Sequence, residues 1–196
     1  DSSVLPVYLS RINDGANPNI TSSAGFGFSW NIESTISISN GLGIWNTIDL
    51  EKKRFVPDES VIIENGYQIW KENDSNSFED QTSVYFYVPN DYIINNVIDY
   101  SEVYIKQGDT KYSFDSIGRL VLVERPGVNN KILSVEIVYD SEGNLDKITT
   151  ENSVVYSFDY SYNSEMRKKY LSRIWVNDTY YMLFGIHKSG ANSFDP

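Results

Sequence analysis

Apolar and polar residues alternate with a period of two along much of this chain, and the alternating runs are separated by residue pairs suited to tight turns. From Trp30 onward, Ile32, Ile36 and Ile38 share one parity, while Asn31, Glu33, Thr35, Ser37 and Ser39 take the other. Val84, Phe86 and Val88 alternate with Ser83, Tyr85 and Tyr87. Leu133, Val135, Ile137 and Tyr139 alternate with Ser134, Glu136 and Val138, and Val154, Tyr156, Phe158, Tyr160 and Tyr162 with Ser157, Asp159 and Ser161. That period belongs to a strand with one dry and one wet face. Turn signals stand at Asp14-Gly15, Asn40-Gly41, Asn65-Gly66, Gly108-Asp109, Gly118, Pro126-Gly127 and Gly143-Asn144. Asn-Gly and Asp-Gly tolerate the positive φ of two-residue hairpins. The expectation is an all-β, antiparallel, hairpin-built fold in one or two packed sheets. Only two stretches carry a weak helical pattern. Asp91 to Asp99 holds Ile93, Ile94, Val97 and Ile98, and Ser164 to Leu171 reads as one helical turn or a basic loop. Gly15 to Ser23 and Asn73 to Gln81 read as solvated loops, and no linker divides residues 1–196 into separate domains.

Composition removes several classes of function. A chain of 196 residues with 14% aromatics, 15 Tyr among them, can build a sizeable core and is unlike a disordered chain. The formal net charge of −11 repels phosphate backbones and anionic membrane surfaces, so nucleic acid is not an expected partner. With no cysteine there is no disulfide, thiolate zinc site or cysteine nucleophile. No apolar run reaches the roughly eighteen residues that a spanning helix needs. The opening Asp1-Ser2-Ser3 has no signal-peptide character, and the chain reads as a fragment of something longer.

One pair of segments repeats. Phe114-Asp115-Ser116-Ile117-Gly118-Arg119-Leu120 matches Tyr139-Asp140-Ser141-Glu142-Gly143-Asn144-Leu145, and a degraded third copy starts at Phe158-Asp159 without the glycine. An aromatic closes one strand on the packed face, Asp caps the turn, Gly takes positive φ and Leu opens the return strand. This pattern resembles the YD repeat of the RHS family, which includes bacterial polymorphic toxins, wall-associated proteins and teneurin relatives. Upstream, Leu5 to Arg11 looks like the family's opening strand, and Gly25 to Asn31 like its glycine–aromatic segment. Gly108-Asp109-Thr110 followed by Tyr112 to Asp115 is similar to the passage that leads into the repeats. The resemblance divides the single domain into a strand-rich lead-in over 1–108, YD-type repeats over 109–165, and C-terminal strands and tail over 166–196. It implies a segment of a spiralling β-shell in a secreted or cell-surface bacterial protein. Its partners would then be the rest of the parent chain or the C-terminal effector that such a shell encloses.

Residues for chemistry are scarce. His187 is the sole histidine, which leaves no transition-metal set and no Ser–His–Asp arrangement. Asn73-Asp74-Ser75-Asn76 with Glu79-Asp80 offers hard oxygen ligands but lacks the glycine-centred loop of a calcium site. Gly25-Phe26-Gly27 runs into a strand rather than a helix N-terminus, so it is no phosphate cradle. The sequons at Asn19, Asn73 and Asn177 are what an Asn/Ser-rich composition produces by chance. The expectation is a non-catalytic scaffold without cofactor. The alternative is a carbohydrate- or protein-binding β module on the cell surface, with Trp45, Trp70 and Trp175 as ligand-stacking aromatics and a surface glycan as ligand. An enzyme acting on glycosides through paired carboxylates is a third possibility that composition permits.

Overall fold

A computed structural model describes residues 11–13, 21–22, 25–26, 28–30, 32–49, 51–57, 63–73, 84–91, 99–164 and 168–183. Among these, the strands are β1 (Arg11–Asn13), β2 (Thr21–Ser22), β3 (Gly25–Phe26), β4 (Phe28–Trp30), β5 (Thr35–Ser39), β6 (Leu42–Asn46), β7 (Lys52–Pro57), β8 (Ile63–Glu64) and β9 (Tyr67–Glu72). They continue with β10 (Val84–Pro89), β11 (Tyr104–Gln107), β12 (Thr110–Phe114), β13 (Leu120–Pro126), β14 (Ile132–Tyr139), β15 (Leu145–Thr149), β16 (Val155–Asn163), β17 (Lys168–Val176) and β18 (Tyr180–Leu183). The helical content of the described residues is two single 3-10 turns, Tyr100–Glu102 and Val128–Asn130. β1 pairs with β4 and β2 with β3, while the remaining strands form one 14-stranded antiparallel sheet. Its path runs β5-β6-β7-β9-β10-β11-β12-β13-β14-β15-β16-β17-β18, with β8 added beside β9. The fold class is therefore all-β and hairpin-built.

Consecutive strands pair because their turns are short. Asn40-Gly41 and Asn65-Gly66 hold positive φ throughout, the geometry that matches strand twist in a two-residue hairpin. The sheet also bends back on itself. An antiparallel bridge joins Thr35 of β5 to Arg119, at the mouth of β13, with Ile36 N–H donating to the Gly118 carbonyl at 2.8 Å and Leu120 N–H to that of Ser34 at 2.9 Å. The strands from β5 to β13 thus return upon themselves at one seam, and β14 to β18 run on from there as a wing.

A single core follows this curve. Phe55 and Phe86 rings meet at 5.2 Å, Trp70 stands edge-on to Phe86 at 5.9 Å, and Trp45 packs on Tyr112 at 4.9 Å. A side chain on Gly43 would run into the Phe86 ring, so close packing of that ring needs glycine there. Under the wing the core continues through Val135, Ile137, Leu145, Ile148, Phe158, Leu171 and Ile174. Cutting one of the buried leucines back to alanine costs about 2–5 kcal/mol.

The strands differ from the alternation in three places. The run from Trp30 to Ile38 is not one strand. β4 ends at Trp30, and Ile32 to Ser34 form a bend that buries Ile32 before β5 begins. Parity survives the break because Ile32 and Ile36 both reach the core, so periodicity alone hides the corner. Lys168 to Leu171 lie in β17 rather than in a helical turn, paired with Tyr160 to Asn163 of β16. Cross-strand packing of Leu171 outweighs the weak local helical pattern. Finally, the alternating run from Val154 to Tyr162 is not regular, because its register with β17 shifts between Asp159 and Tyr160. Of the stretch from Asp91 to Asp99, the residues 92–98 lie outside the described residues, as do residues 74–83, His187 and the opening segment up to Ser10.

Candidate functional site

The repeated heptads build two copies of one turn. In the first, Asp115 Oδ1 accepts the Ile117 N–H at 3.1 Å and the Arg119 N–H at 2.9 Å, while Oδ2 accepts Arg119 Nε at 2.7 Å. In the second, Asp140 Oδ1 accepts the Glu142 N–H at 2.9 Å and the Asn144 N–H at 2.8 Å, and Oδ2 accepts Asn144 Nδ2 at 2.9 Å. Backbone bonds repeat as well: Asp115 N–H to Arg119 O and Asp140 N–H to Asn144 O are both 2.8 Å. Gly118 (φ 88°) and Gly143 (φ 89°) take the left-handed position that only glycine holds without strain. A carboxylate is needed at the first position because three donors converge there, and amide or hydroxyl would satisfy fewer. Partial burial works against ionisation of Asp140, but the donors from Asn144 and Glu142 and the Lys169 charge outweigh it and hold its carboxyl below the ordinary value.

The strands flanking each turn carry the same irregularity. A register shift falls between Ser113 and Phe114, and Phe114 then faces Leu120; another falls between Val138 and Tyr139, and Tyr139 faces Leu145. A third falls between Asp159 and Tyr160, and Tyr160 faces Leu171. The third copy therefore starts at Tyr160, two residues later than Phe158-Asp159, and Leu171 completes it. Here the paired strands run on past the aromatic, β16 to Asn163 and β17 from Lys168, so the heptad spacing that reveals the first two copies is lost. The copies also bind one another. Tyr139 Oη donates to the Leu120 carbonyl at 3.1 Å, and Tyr160 Oη to the Leu145 carbonyl at 2.8 Å. Each aromatic ring thus hangs on the leucine of the unit before it, and Leu120, Leu145 and Leu171 are all buried. Burial is the main reason that the Tyr139 hydroxyl is pushed well above its ordinary value, with Glu33 adding to it and Arg119 opposing.

No family model and no curated protein matches this chain.

Trp45 and Trp70 are core residues, 1% and 2% exposed, and offer no ring face to a ligand. Trp45 Nε1 donates to Ser34 Oγ at 2.9 Å, so even its polar edge is used in holding the corner before β5. Trp175 is different. It lies half-buried on β17, its Nε1 donating to Asp159 Oδ2 at 2.7 Å and its ring 4.9 Å from Tyr181. Arg173 sits over both rings, its guanidinium carbon 4.8 Å from each centroid. Sequence reading missed Arg173, although its parity with Trp175 on an alternating strand was a signal. A second aromatic group, Tyr67, Tyr87 and Tyr104, stacks on itself, with Tyr87 and Tyr104 parallel at 4.4 Å. Lys106 and Lys111 lie over those rings at 5.1 and 4.9 Å, so cations already occupy them. Among the described residues no three His, Cys, Asp or Glu side chains gather as a metal site requires, and no helix is long and apolar enough to cross a membrane. Asp115 and Asp140, each accepting three hydrogen bonds, face their own turns. Asn177, one of the sequon asparagines, uses its side-chain oxygen to accept the Val155 N–H at 2.8 Å.

Proposed function

We propose that this chain is a non-catalytic structural segment, a wall built from stacked hairpin units, in a secreted or cell-surface protein of the RHS/YD-repeat kind. One observation carries the reading: each unit is anchored to the one before through a tyrosine hydroxyl on a leucine carbonyl. An interaction that passes from unit to unit extends a surface and does nothing to a substrate, which is how repeat arrays gain stability from nearest neighbours. Such a wall would enclose or present the remainder of its parent chain or an effector. The Arg173–Trp175–Tyr181 cluster supports a second role on the same wall, the capture of a partner protein.

The test is to lengthen the wall. The first two units are offset by twenty-five residues, from Phe114 to Tyr139 and from Leu120 to Leu145. A second copy of Val121 to Leu145 inserted directly after Leu145 should fold as one more pair of strands. The variant is expected to melt in one transition, to gain β-sheet signal by circular dichroism, and to lengthen in small-angle scattering. An insertion that unfolds the chain or stays unstructured would show that the units are not interchangeable and would sink the wall reading.

A further inference from the structure

We propose that β18 and the Arg173 clamp together form a docking site for an extended segment of a partner protein that alternates acidic and apolar residues. This deepens the reading of the sheet as an assembly surface and rests on it.

The first observation is the setting of Arg173. Lys53 pairs with Glu72 at 2.9 Å, Arg119 with Asp115 at 2.7 Å and Lys169 with Glu142 at 2.6 Å. Among the described residues Arg173 has no carboxylate within ion-pair distance, and its Nε is buried without an acceptor. Its cross-strand neighbour Asp159 is engaged by Trp175 Nε1 instead. A guanidinium lying against two adjoining rings, with its Nε stripped of water and lacking an acceptor, is held in place for a carboxylate, whose two oxygens match its fork.

The second observation is the edge beside it. β18 is the last strand of the sheet among the described residues, and Tyr180, Tyr181, Met182 and Leu183 are all exposed. Edges of this kind template strand addition. Register fixes what an added strand must carry. Tyr181 lies opposite Trp175 and Leu183 opposite Arg173, so alternate residues of a strand on β18 fall on the face of the guanidinium. The intervening residues fall beside Tyr180 and Met182, on the face where Ile174 is buried in the core. Acidic residues suit the first set and apolar residues the second. A sugar acid is the weaker occupant, because Arg173 already lies against both rings on which a pyranose would stack.

The experiment is titration by fluorescence anisotropy of the folded chain with capped, dye-labelled nine-residue peptides that alternate valine with glutamate, glutamine or lysine. The glutamate peptide is expected to bind at least roughly tenfold more tightly than the glutamine peptide, the factor of one charge-assisted contact, and the lysine peptide least. N-methylation along one edge of the glutamate peptide should abolish binding, since it removes the strand bonds and keeps the charges. Arg173→Gln should equalise the glutamate and glutamine peptides, and Arg173→Lys, which keeps charge but not the planar fork, should fall between. Absence of binding by every peptide, equal binding of glutamate and glutamine forms, or full competition by an oligouronate would overturn the proposal. If peptides fail while the lengthened wall still folds, this inference falls and the wall reading stands.

Discussion

The turns at 115–119 and 140–144 are the same turn, bond for bond, yet they lie in different surroundings. The first is the seam. Strand β5 crosses it, Ile36 and Ser34 bond to Gly118 and Leu120 on either side of Arg119, and Tyr100 N–H donates to Ser116 O at 3.2 Å. The second faces outward and is touched by long side chains: Arg119 lies 4.3 Å over the Tyr139 ring, and Lys169 reaches Glu142 at 2.6 Å. The difference begins at one residue. Arg119 and Asn144 both give a side-chain nitrogen to their aspartate, but only the arginine is long enough to continue onto the next unit. Identical local chemistry thus serves closure in one place and extension in the other, so a repeat motif defines a turn without defining its neighbours.

The largest effect that separates the two turns should come from their glycines. A Cβ on Gly118 would stand 2.5 Å from the Ile36 carbonyl oxygen, a backbone atom fixed by the seam. A Cβ on Gly143 would meet only the Arg119 guanidinium at 3.1 Å, the far end of a flexible side chain. Both substitutions incur left-handed strain of about 1 kcal/mol. Gly118→Ala adds overpacking against backbone and should total about 3 kcal/mol, whereas Gly143→Ala should stay near 1 kcal/mol. Chemical denaturation of the two variants reads this directly, and equal losses would dissolve the distinction between seam and free turn.

That asymmetry also marks how far the sequence could be read. Phe114 to Leu120 and Tyr139 to Leu145 were legible because Asp, Gly and Leu at fixed spacing are dictated by the turn itself. The alternation likewise exposed β10, β14 and β16. The seam was not legible, since Thr35 and Arg119 meet only because the intervening strands accumulate twist, and no local pattern records that. The third unit was misplaced by two residues because the strand irregularity falls before Tyr160, and parity gives no warning of it. Trp45 and Trp70 looked like platforms for the same reason: composition counts rings but not which face of a curved sheet they occupy.

The links between units are the next smaller effect. Tyr139→Phe and Tyr160→Phe each leave a leucine carbonyl without its donor, at about 1 kcal/mol apiece. Phe114 already fills the equivalent place in the first unit without a hydroxyl, so the ring itself is compatible with phenylalanine. If the two substitutions act on separate links, their losses should add within about 0.5 kcal/mol in a double-mutant cycle. A double variant no worse than either single one would mean that the hydroxyls do not hold successive units together.

The smallest effect lies in acid, at the exposed turn. Asp140 is held below the ordinary carboxyl value, so its ionised form is favoured by folding. A group lowered in the folded state contributes stability above its unfolded value, near pH 4, and loses that contribution as pH falls through the folded one. Asp140→Asn keeps the shape but sets two amide donors, its own and that of Asn144, against each other. The variant should therefore be less stable than the parent at pH 7, by a margin that shrinks as pH drops from 5 to 3, because the parent alone gives up its carboxylate. Urea midpoints at several pH values would show the two curves converging. Parallel curves would mean that the carboxylate charge contributes nothing to the turn, and that the free turn is held by its backbone bonds and Gly143 alone.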